Sequence, residues 1–215
     1  MAQTSAPRRG LVLGGGGILG AAWMVGALKA VEEIHGWDPR TADYIVGTSA
    51  GSVLTALLGA GVSVDQLVAH QHGKPITEGP LAGYSWDYEK ATGSNRPSLP
   101  RLLGPGSGKL IRRTLAGGAR KMPPTAVLSA FLPAGKGSLD RVGHLVEAFT
   151  PYGEWSPHPN CWIVALDYEN GRRVAFGHEN APDVPLNEAV MASCAIPGWF
   201  RPMQINGRTY IDGGA

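Results

Sequence analysis

The stretch Tyr44-Ile45-Val46-Gly47-Thr48-Ser49-Ala50-Gly51-Ser52-Val53-Leu54 holds a G-x-S-x-G pentapeptide between two apolar runs. This order of residues predicts a buried strand, a sharp turn and a helix. A serine on such a turn is held out of the sheet at the N-terminus of the next helix, where it can act as a nucleophile and where forming negative charge is favoured. Ser49 is therefore a candidate nucleophile, and Gly47 and Gly51 are the motif residues that let strand and helix pack closely.

A strand and a helix also precede this turn. The sequence predicts a strand over 11–13, a glycine loop over 14–17 and a helix over 18–34, and then a strand over 44–46 and a helix over 52–59. The β-α-β-α order predicts an α/β fold with a parallel sheet and helices on its faces. Apolar residues recur at helical spacing along the first helix, at Trp23, Ala27, Ala30 and Ile34.

The glycine loop, Gly14-Gly15-Gly16-Gly17, can supply the donors that a serine hydrolase needs for its oxyanion. Consecutive glycines let backbone N–H groups converge on one point with no side chain in the way. The loop and Ser49 both follow strands of one βαβ unit, at the sheet edge where open α/β sheets build their sites. We therefore expect the loop and the serine to be neighbours in space.

The residues leave two candidate general bases open. A Ser–Asp–His order takes Asp167 and His178, although none of the six histidines lies in a recognisable motif. The other candidate is Asp212, in Tyr210-Ile211-Asp212-Gly213-Gly214, because an aspartate at the end of a strand and before two glycines can point its carboxylate into a cleft. A plain Asp-Gly turn would explain the same residues.

These motifs resemble those of the patatin-like phospholipases. That family has a G-G-G-x-R/K-G oxyanion loop, a G-x-S-x-G elbow and a D-G-G/A end, and this chain carries similar blocks, in that order, at 15–20, 47–51 and 212–214. The segment Ala192–Pro202 also resembles the family's A-S-x-A-x-P-x-x-F-x-P block. The four blocks together span nearly the whole chain.

The resemblance implies a three-layer α/β/α fold around a mainly parallel sheet, and a Ser–Asp dyad that needs no histidine and no cofactor. Ser49 would be the nucleophile and Asp212, followed by the motif residue Gly213, the base that takes its proton. The implied activity is hydrolysis of lipid acyl esters through an acyl-enzyme, as in phospholipases A, lysophospholipases and esterases. The oxyanion hole would be lined by Gly15, Gly16 and Gly17.

The chain departs from the family pattern at two points. Leu19 stands where the oxyanion loop usually has Arg or Lys, which leaves the backbone donors in place but puts any role of the cation in phosphate recognition in doubt. The chain also stops at Ala215, just after Asp212, whereas family members typically continue well beyond this point. We therefore expect one patatin-like acyl hydrolase domain over 1–215 whose C-terminal part is missing.

The segment 70–136 is rich in Gly, Pro and Ser and has weak periodicity. A cap or lid over the site and an ordinary irregular insertion are both consistent with it. Trp86, Trp199 and Phe200 are candidates for an apolar acyl pocket or a lipid-facing lid, and a place in the core would explain them equally well. The predicted regular elements within and after this segment are helices over 109–116, 125–131, 139–149 and 186–193 and strands over 161–166, 172–177 and 210–211.

Length and composition fit a single globular domain of 215 residues. The formal net charge is +2 and no basic tract occurs, so nucleic acid is not an expected partner, whereas weak contact with anionic lipid is permitted. Cys161 and Cys194 have neither metal-like spacing nor a disulfide pattern, and we expect reduced thiols in or near the core. Reduced thiols favour a cytoplasmic location. No metal site and no cofactor are predicted.

The uncharged stretch Leu11–Leu28 is not expected to be a signal peptide or a membrane helix, because six glycines interrupt it. A strand, a glycine loop and a helix explain the stretch better. The sequence thus predicts a cytoplasmic protein that contacts the membrane peripherally at most. Its expected partner is a lipid or acyl-ester substrate, and its protein partners are unknown.

Four other functions remain open. An acyltransferase would use the same dyad and pass the acyl group to an alcohol or lysolipid, and an ordinary α/β-hydrolase would use Ser49 with Asp167 and His178. A lipid-binding module without activity would not need an intact dyad. Dinucleotide binding is suggested by the G-x-G-x-x-G pattern at 15–20, but the second strand ends without the acidic residue that this fingerprint needs.

Overall fold

A computed structural model of the protein describes residues 8–84, 106–116, 118 and 122–215. Trp86 and part of the segment 70–136 lie outside the described residues. The strands are β1 (Gly10–Leu13), β2 (Tyr44–Thr48), β3 (Cys161–Asp167), β4 (Arg173–Phe176), β5 (Met203–Ile205) and β6 (Arg208–Asp212). The helices are α1 (Gly17–His35), α2 (Ala50–Gly59), α3 (Val64–Gln71), α4 (Gly108–Leu115), α5 (Pro124–Ser129), α6 (Asp140–Glu147) and α7 (Leu186–Ser193).

One six-stranded sheet organises the described residues, with the order β1-β2-β3-β6-β5 and with β4 also paired to β3. Strands β1, β2 and β3 are parallel, as the β-α-β-α pattern predicts. Strands β4 and β6 pair antiparallel with β3, and β5 pairs antiparallel with β6. The β5–β6 hairpin turns through Asn206 and Gly207, whose φ angles of 50° and 74° suit the tight turns that join antiparallel strands.

Helices cover both faces of the sheet, which confirms the three-layer α/β/α fold. Side chains alternate between the faces of β3 because successive residues of a strand point in opposite directions. Ile163 and Ala165 pack in one apolar cluster with α7, whereas Leu166 packs in another with Leu110 of α4 and Ala126 of α5. Strand β3, in which Ile163, Ala165 and Leu166 are fully buried, therefore separates the two helical layers.

Strands β2 and β6 meet end to end along one edge of β3. Thr48 at the end of β2 pairs with Val164, and Asp212 at the end of β6 pairs with Ala165. Because β4 pairs with Val164 and Ala165 along the other edge, β2 and β6 share the remaining edge and run toward each other. The residue that follows β2, Ser49, and the last residue of β6 are thereby brought to the same point of the sheet.

The exposed face of α1 differs from the sequence prediction. The apolar spacing correctly predicts a helix, but the residues that α1 buries are Met24, Val25 and Leu28. Trp23 and Ile34, which belong to the predicted apolar stripe, are 74% and 75% exposed. The helix packs against α2 and α3 through its other side, so the stripe that marks the helix is not the stripe that forms the core.

The predictions for the cysteines, for Trp199 and Phe200, and for the segment after α2 have different outcomes. Cys161 and Cys194 are free and buried, which confirms the predicted core thiols. Trp199 is 38% exposed and Phe200 packs partly buried against the cluster around α7. Helix α3 was not predicted, although the capping box of Ser63 with the Gln66 side chain is a signal for its start.

Candidate active site

Ser49 lies between the last residue of β2 and the first residue of α2, with φ of 53° and ψ of −124°. A positive φ is strained for a residue with a side chain, and it is the geometry of a nucleophile elbow. A side chain at Gly47 would collide with the Thr55 hydroxyl and the Gly51 carbonyl, and one at Gly51 would collide with the Leu13 carbonyl. The two motif glycines are therefore required by the close packing of strand and helix around the serine.

Two buried serines hold the backbone of Ser49. The Ser49 N–H donates to Ser193 Oγ at 2.9 Å, and Ser193 Oγ donates to the Val164 carbonyl at 2.6 Å. Ser52 Oγ donates to the Ser49 carbonyl at 2.6 Å. Sequence reasoning did not identify Ser193 or Ser52 as site residues, and the signal available for Ser193 is its place in the segment Ala192–Pro202.

The glycine loop lies against Ser49. A Cβ placed on Gly15 would be 3.4 Å from the Ser49 Cβ, so the two residues are in contact. The Gly51 N–H donates to the Gly14 carbonyl at 3.1 Å, which ties the loop to the elbow. Residues 15–17 are exposed, and no oxygen of the described residues accepts a hydrogen bond from their N–H groups. An oxyanion site requires unpaired donors of this kind near the nucleophile, and Gly15 is the loop residue in contact with Ser49.

Helix α1 begins at the loop, with Gly16 as its N-cap and Gly17 as its first residue. The N-terminus of a helix carries a partial positive charge, which favours an anion there. At Gly16, φ is 155° and a Cβ would lie 2.8 Å from the Gly20 Cα, so a side chain would not fit. Leu19, at the position where the resembling motif usually has Arg or Lys, is 84% exposed and carries no charge.

Asp212 is 5% exposed and ends β6 beside the elbow. Its Oδ1 accepts a hydrogen bond of 2.7 Å from the Gly214 N–H, whereas its buried Oδ2 has no hydrogen-bond partner among the described residues. Burial raises the pKa of the Asp212 carboxyl above its ordinary value of 3.8, and the nearby Ser49 hydroxyl and the Gly214 N–H oppose that rise only in part. The carboxylate is thus a stronger base than an exposed aspartate.

Gly213 is fixed by the packing of the same region. A side chain at Gly213 would collide with the Val164 carbonyl and would lie 3.1 Å from the Thr48 Cγ2. The Asp212 N–H donates to the Ala195 carbonyl at 3.0 Å, which anchors the end of β6 to the residues after α7. The end of β2, the middle of β3 and the end of β6 are therefore packed as one unit around the candidate dyad.

The alternative triad residues, Asp167 and His178, do not lie together beside Ser49. Asp167 is fully buried at the end of β3, where its Oδ2 forms an ion pair of 2.8 Å with Arg208. His178 follows β4, and its ring packs against Trp162 near the start of β3, at a centroid distance of 5.0 Å. The two residues lie toward opposite ends of β3, so the structure contradicts the Ser–His–Asp arrangement.

Cys194 lies beside the candidate dyad without the properties of a nucleophile. Burial, with a smaller contribution from the charge of Asp212, raises the pKa of its thiol to about 12. Its Sγ is 3.7 Å from Ser52 Oγ, which is a weak hydrogen bond. A thiol with this pKa is protonated at neutral pH and therefore unreactive.

Two features are absent from the described residues. In that part of the chain no three His, Cys, Asp or Glu side chains form a group that could hold a metal ion. None of the helices within it combines the length and apolar character needed to cross a membrane.

The family described as patatin-like phospholipase matches the chain over residues 11–215. No curated protein matches its sequence. Among solved structures, the chain is similar to VipD from Legionella pneumophila, with a TM-score of 0.50 and 18% sequence identity. That match covers 98% of this chain and 46% of the VipD chain, so this chain spans less than half the length of VipD. At such an identity the likeness concerns the fold alone.

Proposed function

The chain belongs to the patatin-like phospholipase family, and we propose that it hydrolyses lipid acyl esters with Ser49 as nucleophile and Asp212 as general base. Lipid acyl hydrolysis is the general activity of this family. The observation that carries the dyad is the meeting of β2 and β6 on one edge of β3. It places a serine with a strained φ of 53° beside a buried carboxylate whose Oδ2 has no hydrogen-bond partner among the described residues.

In the acylation step, Ser49 Oγ attacks the ester carbonyl carbon while its proton passes to Asp212 Oδ2. The carbonyl oxygen becomes an oxyanion, which accepts hydrogen bonds from the free N–H groups of residues 15–17. The tetrahedral intermediate then loses its alkoxide, which takes the proton from Asp212 and leaves as an alcohol. The product is an acyl group bound to Ser49 Oγ.

Deacylation repeats these steps with water as the nucleophile. Asp212 takes a proton from the water, which attacks the acyl carbonyl, and the same N–H groups hold the second oxyanion. Ser49 leaves with the proton from Asp212, and the carboxylic acid is released. An alcohol or lysolipid in place of water would give acyl transfer, which is why the two reactions are distinguished by the acceptor and not by the dyad.

The raised pKa of Asp212 supports its role as base. Proton transfer from a serine hydroxyl is most effective when the pKa of the base lies near the working pH. Burial shifts the Asp212 pKa in that direction. The Gly214 N–H holds Oδ1, so the proton is taken by Oδ2. No third group is needed to orient the base, because β6 and the turn at Gly213 fix its backbone.

Hydrolysis of p-nitrophenyl esters from acetate to palmitate tests this proposal. We expect activity in the parent protein and a loss of about 10³-fold or more in Ser49→Ala and in Asp212→Asn. His178→Ala is the control, since His178 lies away from the elbow, and it should keep parental activity. Activity that survives Ser49→Ala would refute the proposal, and loss of activity in His178→Ala would revive the histidine mechanism. Adding glycerol or a lysolipid and measuring new esters separates acyl transfer from hydrolysis.

The physiological substrate that we propose is an acyl lipid reached at a membrane surface or in a micelle. Contact with that surface is proposed to be peripheral. Co-sedimentation with zwitterionic and anionic vesicles at low and high salt would test it, and absence of binding under all four conditions would show that substrate is taken from solution.

A further inference from the structure

The side chain of Arg173 reaches the turn that follows the candidate base. Its Nε–H donates a hydrogen bond of 2.9 Å to the carbonyl of Gly213. Arg173 begins β4, which pairs with one edge of β3, whereas Gly213 follows β6 on the other edge. Gly213 is buried, and its carbonyl accepts no other hydrogen bond from the described residues. Because a buried carbonyl needs a partner, Arg173 supplies one from the far side of β3.

The peptide unit that Arg173 holds also binds the carboxylate of Asp212. The nitrogen of this unit belongs to Gly214, whose N–H donates to Asp212 Oδ1 at 2.7 Å. A trans peptide unit is planar, and its carbonyl and N–H point in opposite directions. A bond that fixes the Gly213 oxygen therefore also fixes the direction of the N–H that holds Oδ1.

The other backbone hydrogen bonds of this turn belong to Asp212 itself. The Asp212 N–H donates to the Ala195 carbonyl at 3.0 Å, and the Asp212 carbonyl accepts from the Ala215 N–H at 3.1 Å. Neither bond involves the Gly213 carbonyl, and a glycine backbone has the most conformational freedom because it lacks a Cβ. The hydrogen bond from Arg173 is therefore the contact that fixes this peptide unit at its oxygen.

We propose that Arg173 is a positioning residue, which orients the Asp212 carboxylate toward Ser49 by holding this peptide unit. The inference rests on the proposed function of the dyad. Arg173 does not touch the carboxylate and acts through the turn at Gly213. With Oδ1 held by the Gly214 N–H, Oδ2 is left to take the serine proton. A cation that bonds to a carbonyl also polarises the peptide unit, which makes its N–H a stronger donor to Oδ1.

The kinetic test compares the parent with Arg173→Met, Arg173→Lys and Arg172→Met on p-nitrophenyl butyrate. Methionine fills similar space but has no donor, so kcat should fall about tenfold or more with little change in KM. Lysine keeps a cationic donor, so Arg173→Lys should retain most of the parental kcat. Arg172→Met is the matched control, because Arg172 is the exposed neighbour and its side chain makes no hydrogen bond or ion pair with the described residues.

The pH profile distinguishes orientation of the base from a general loss of stability. The Gly214 hydrogen bond lowers the pKa of the Asp212 carboxyl against the effect of burial, so a weaker bond should raise that pKa further. The fall of kcat/KM on acidification should therefore begin at higher pH in Arg173→Met and should not move in Arg172→Met. The Cys194 thiol also senses the charge of Asp212, but it stays protonated over this range.

A double-mutant comparison tests whether Arg173 acts through the base. In the Asp212→Asn background the carboxylate is gone, so Arg173→Met should cause no further change in the residual rate of ester hydrolysis. A further fall of about tenfold in that background would show that Arg173 acts elsewhere and would overturn the proposal.

A spectroscopic test does not depend on catalysis. In ¹⁵N-labelled protein, the Gly214 amide proton should resonate downfield because it bonds to a carboxylate. Arg173→Met should move this resonance upfield and speed its exchange with water about tenfold or more, since the donor is no longer held toward Oδ1. Arg172→Met should leave both the resonance and the exchange rate unchanged.

The outcomes separate this link from the dyad. Ester hydrolysis that needs Ser49 but keeps its parental kcat in Arg173→Met would overturn the positioning role and leave the proposed function standing. A displaced Gly214 resonance in Arg173→Met, in a protein that hydrolyses no ester, would support the link and refute the proposed function. Equal losses of kcat in Arg173→Met and Arg172→Met would trace the effect to surface charge and would also overturn the positioning role.

Discussion

Ser193 Oγ accepts a hydrogen bond of 2.9 Å from the backbone N–H of Ser49. The same hydroxyl donates a hydrogen bond of 2.6 Å to the Val164 carbonyl, so one buried side chain links the elbow to helix α7 and to β3. Val164 is also the residue opposite the end of β2. Ser193 is therefore a positioning residue, because it fixes the backbone of the candidate nucleophile without touching the substrate.

Ser193→Ala should destabilise the protein by about 1–3 kcal/mol, since it leaves the buried Ser49 N–H and Val164 carbonyl without their partner. We also expect kcat to fall at least tenfold with little change in KM, because the elbow is no longer held in place. Ser129→Ala is the matched control: Ser129 is 2% exposed, and its hydroxyl donates to the Ala126 carbonyl within its own turn of helix. Urea unfolding and ester kinetics measure both effects. A parental kcat in Ser193→Ala would show that this hydrogen bond is not needed for positioning.

Ser49→Gly should be more stable than Ser49→Ala by about 1 kcal/mol. The φ of 53° at this position is strained for alanine as it is for serine, whereas glycine adopts it freely. Both substitutions should abolish ester hydrolysis, so the comparison separates backbone strain from chemistry. Thermal and urea unfolding of the two variants provide the measurement, and equal stabilities would show that the elbow is not strained.

The pH dependence of kcat/KM should show an acid limb set by Asp212. The carboxylate must be ionised to accept the Ser49 proton, and burial raises its pKa above the ordinary 3.8. Activity should therefore decline as pH falls through this raised pKa, which lies above the ordinary 3.8. Ester hydrolysis from pH 4 to pH 8 measures the limb. A rate that stays flat down to pH 4 would mean that Asp212 is not the base or that its pKa is not raised.

Asp212→Asn should gain stability relative to the parent as pH rises. The folded state binds the Asp212 proton more tightly than the unfolded state does, because burial raises the pKa. Ionisation above pH 3.8 therefore costs the parent stability, and this loss is complete once pH exceeds the folded pKa. The variant has no such cost. Unfolding free energies of the parent and of Asp212→Asn, measured from pH 4 to pH 8, test the direction of this change in stability. Asp183→Asn is the control, because Asp183 is exposed. A stability difference that does not vary with pH would contradict the raised pKa.

Much of the fold follows from local sequence patterns. The β-α-β-α start, the helices after it and the G-x-S-x-G turn are specified by residues close in the chain, and the structure confirms them. The face of α1 was not predictable, because Trp23 and Met24 are both apolar and their spacing alone does not say which of them meets α2 and α3.

The candidate site depends on longer-range features. The nearness of Ser49 and Asp212 comes from β6 running antiparallel along the edge of β3 that β2 leaves free, and no local pattern encodes that register. Motif resemblance pointed to both residues, which is why they could be named from the sequence. Ser193 could not be assigned a role, since its hydrogen bond to Ser49 joins residues that only the folded sheet brings together.

The measurement that tests the central claim most directly is labelling with a fluorophosphonate, followed by peptide mass mapping of the parent and of Asp212→Asn. A fluorophosphonate reacts with an activated serine in the way that an ester does but forms a stable adduct. The account predicts one adduct, on the peptide that contains Ser49, and labelling at least a hundredfold slower in Asp212→Asn. An adduct on another residue, or an unlabelled Ser49 in a protein that still hydrolyses esters, would contradict it.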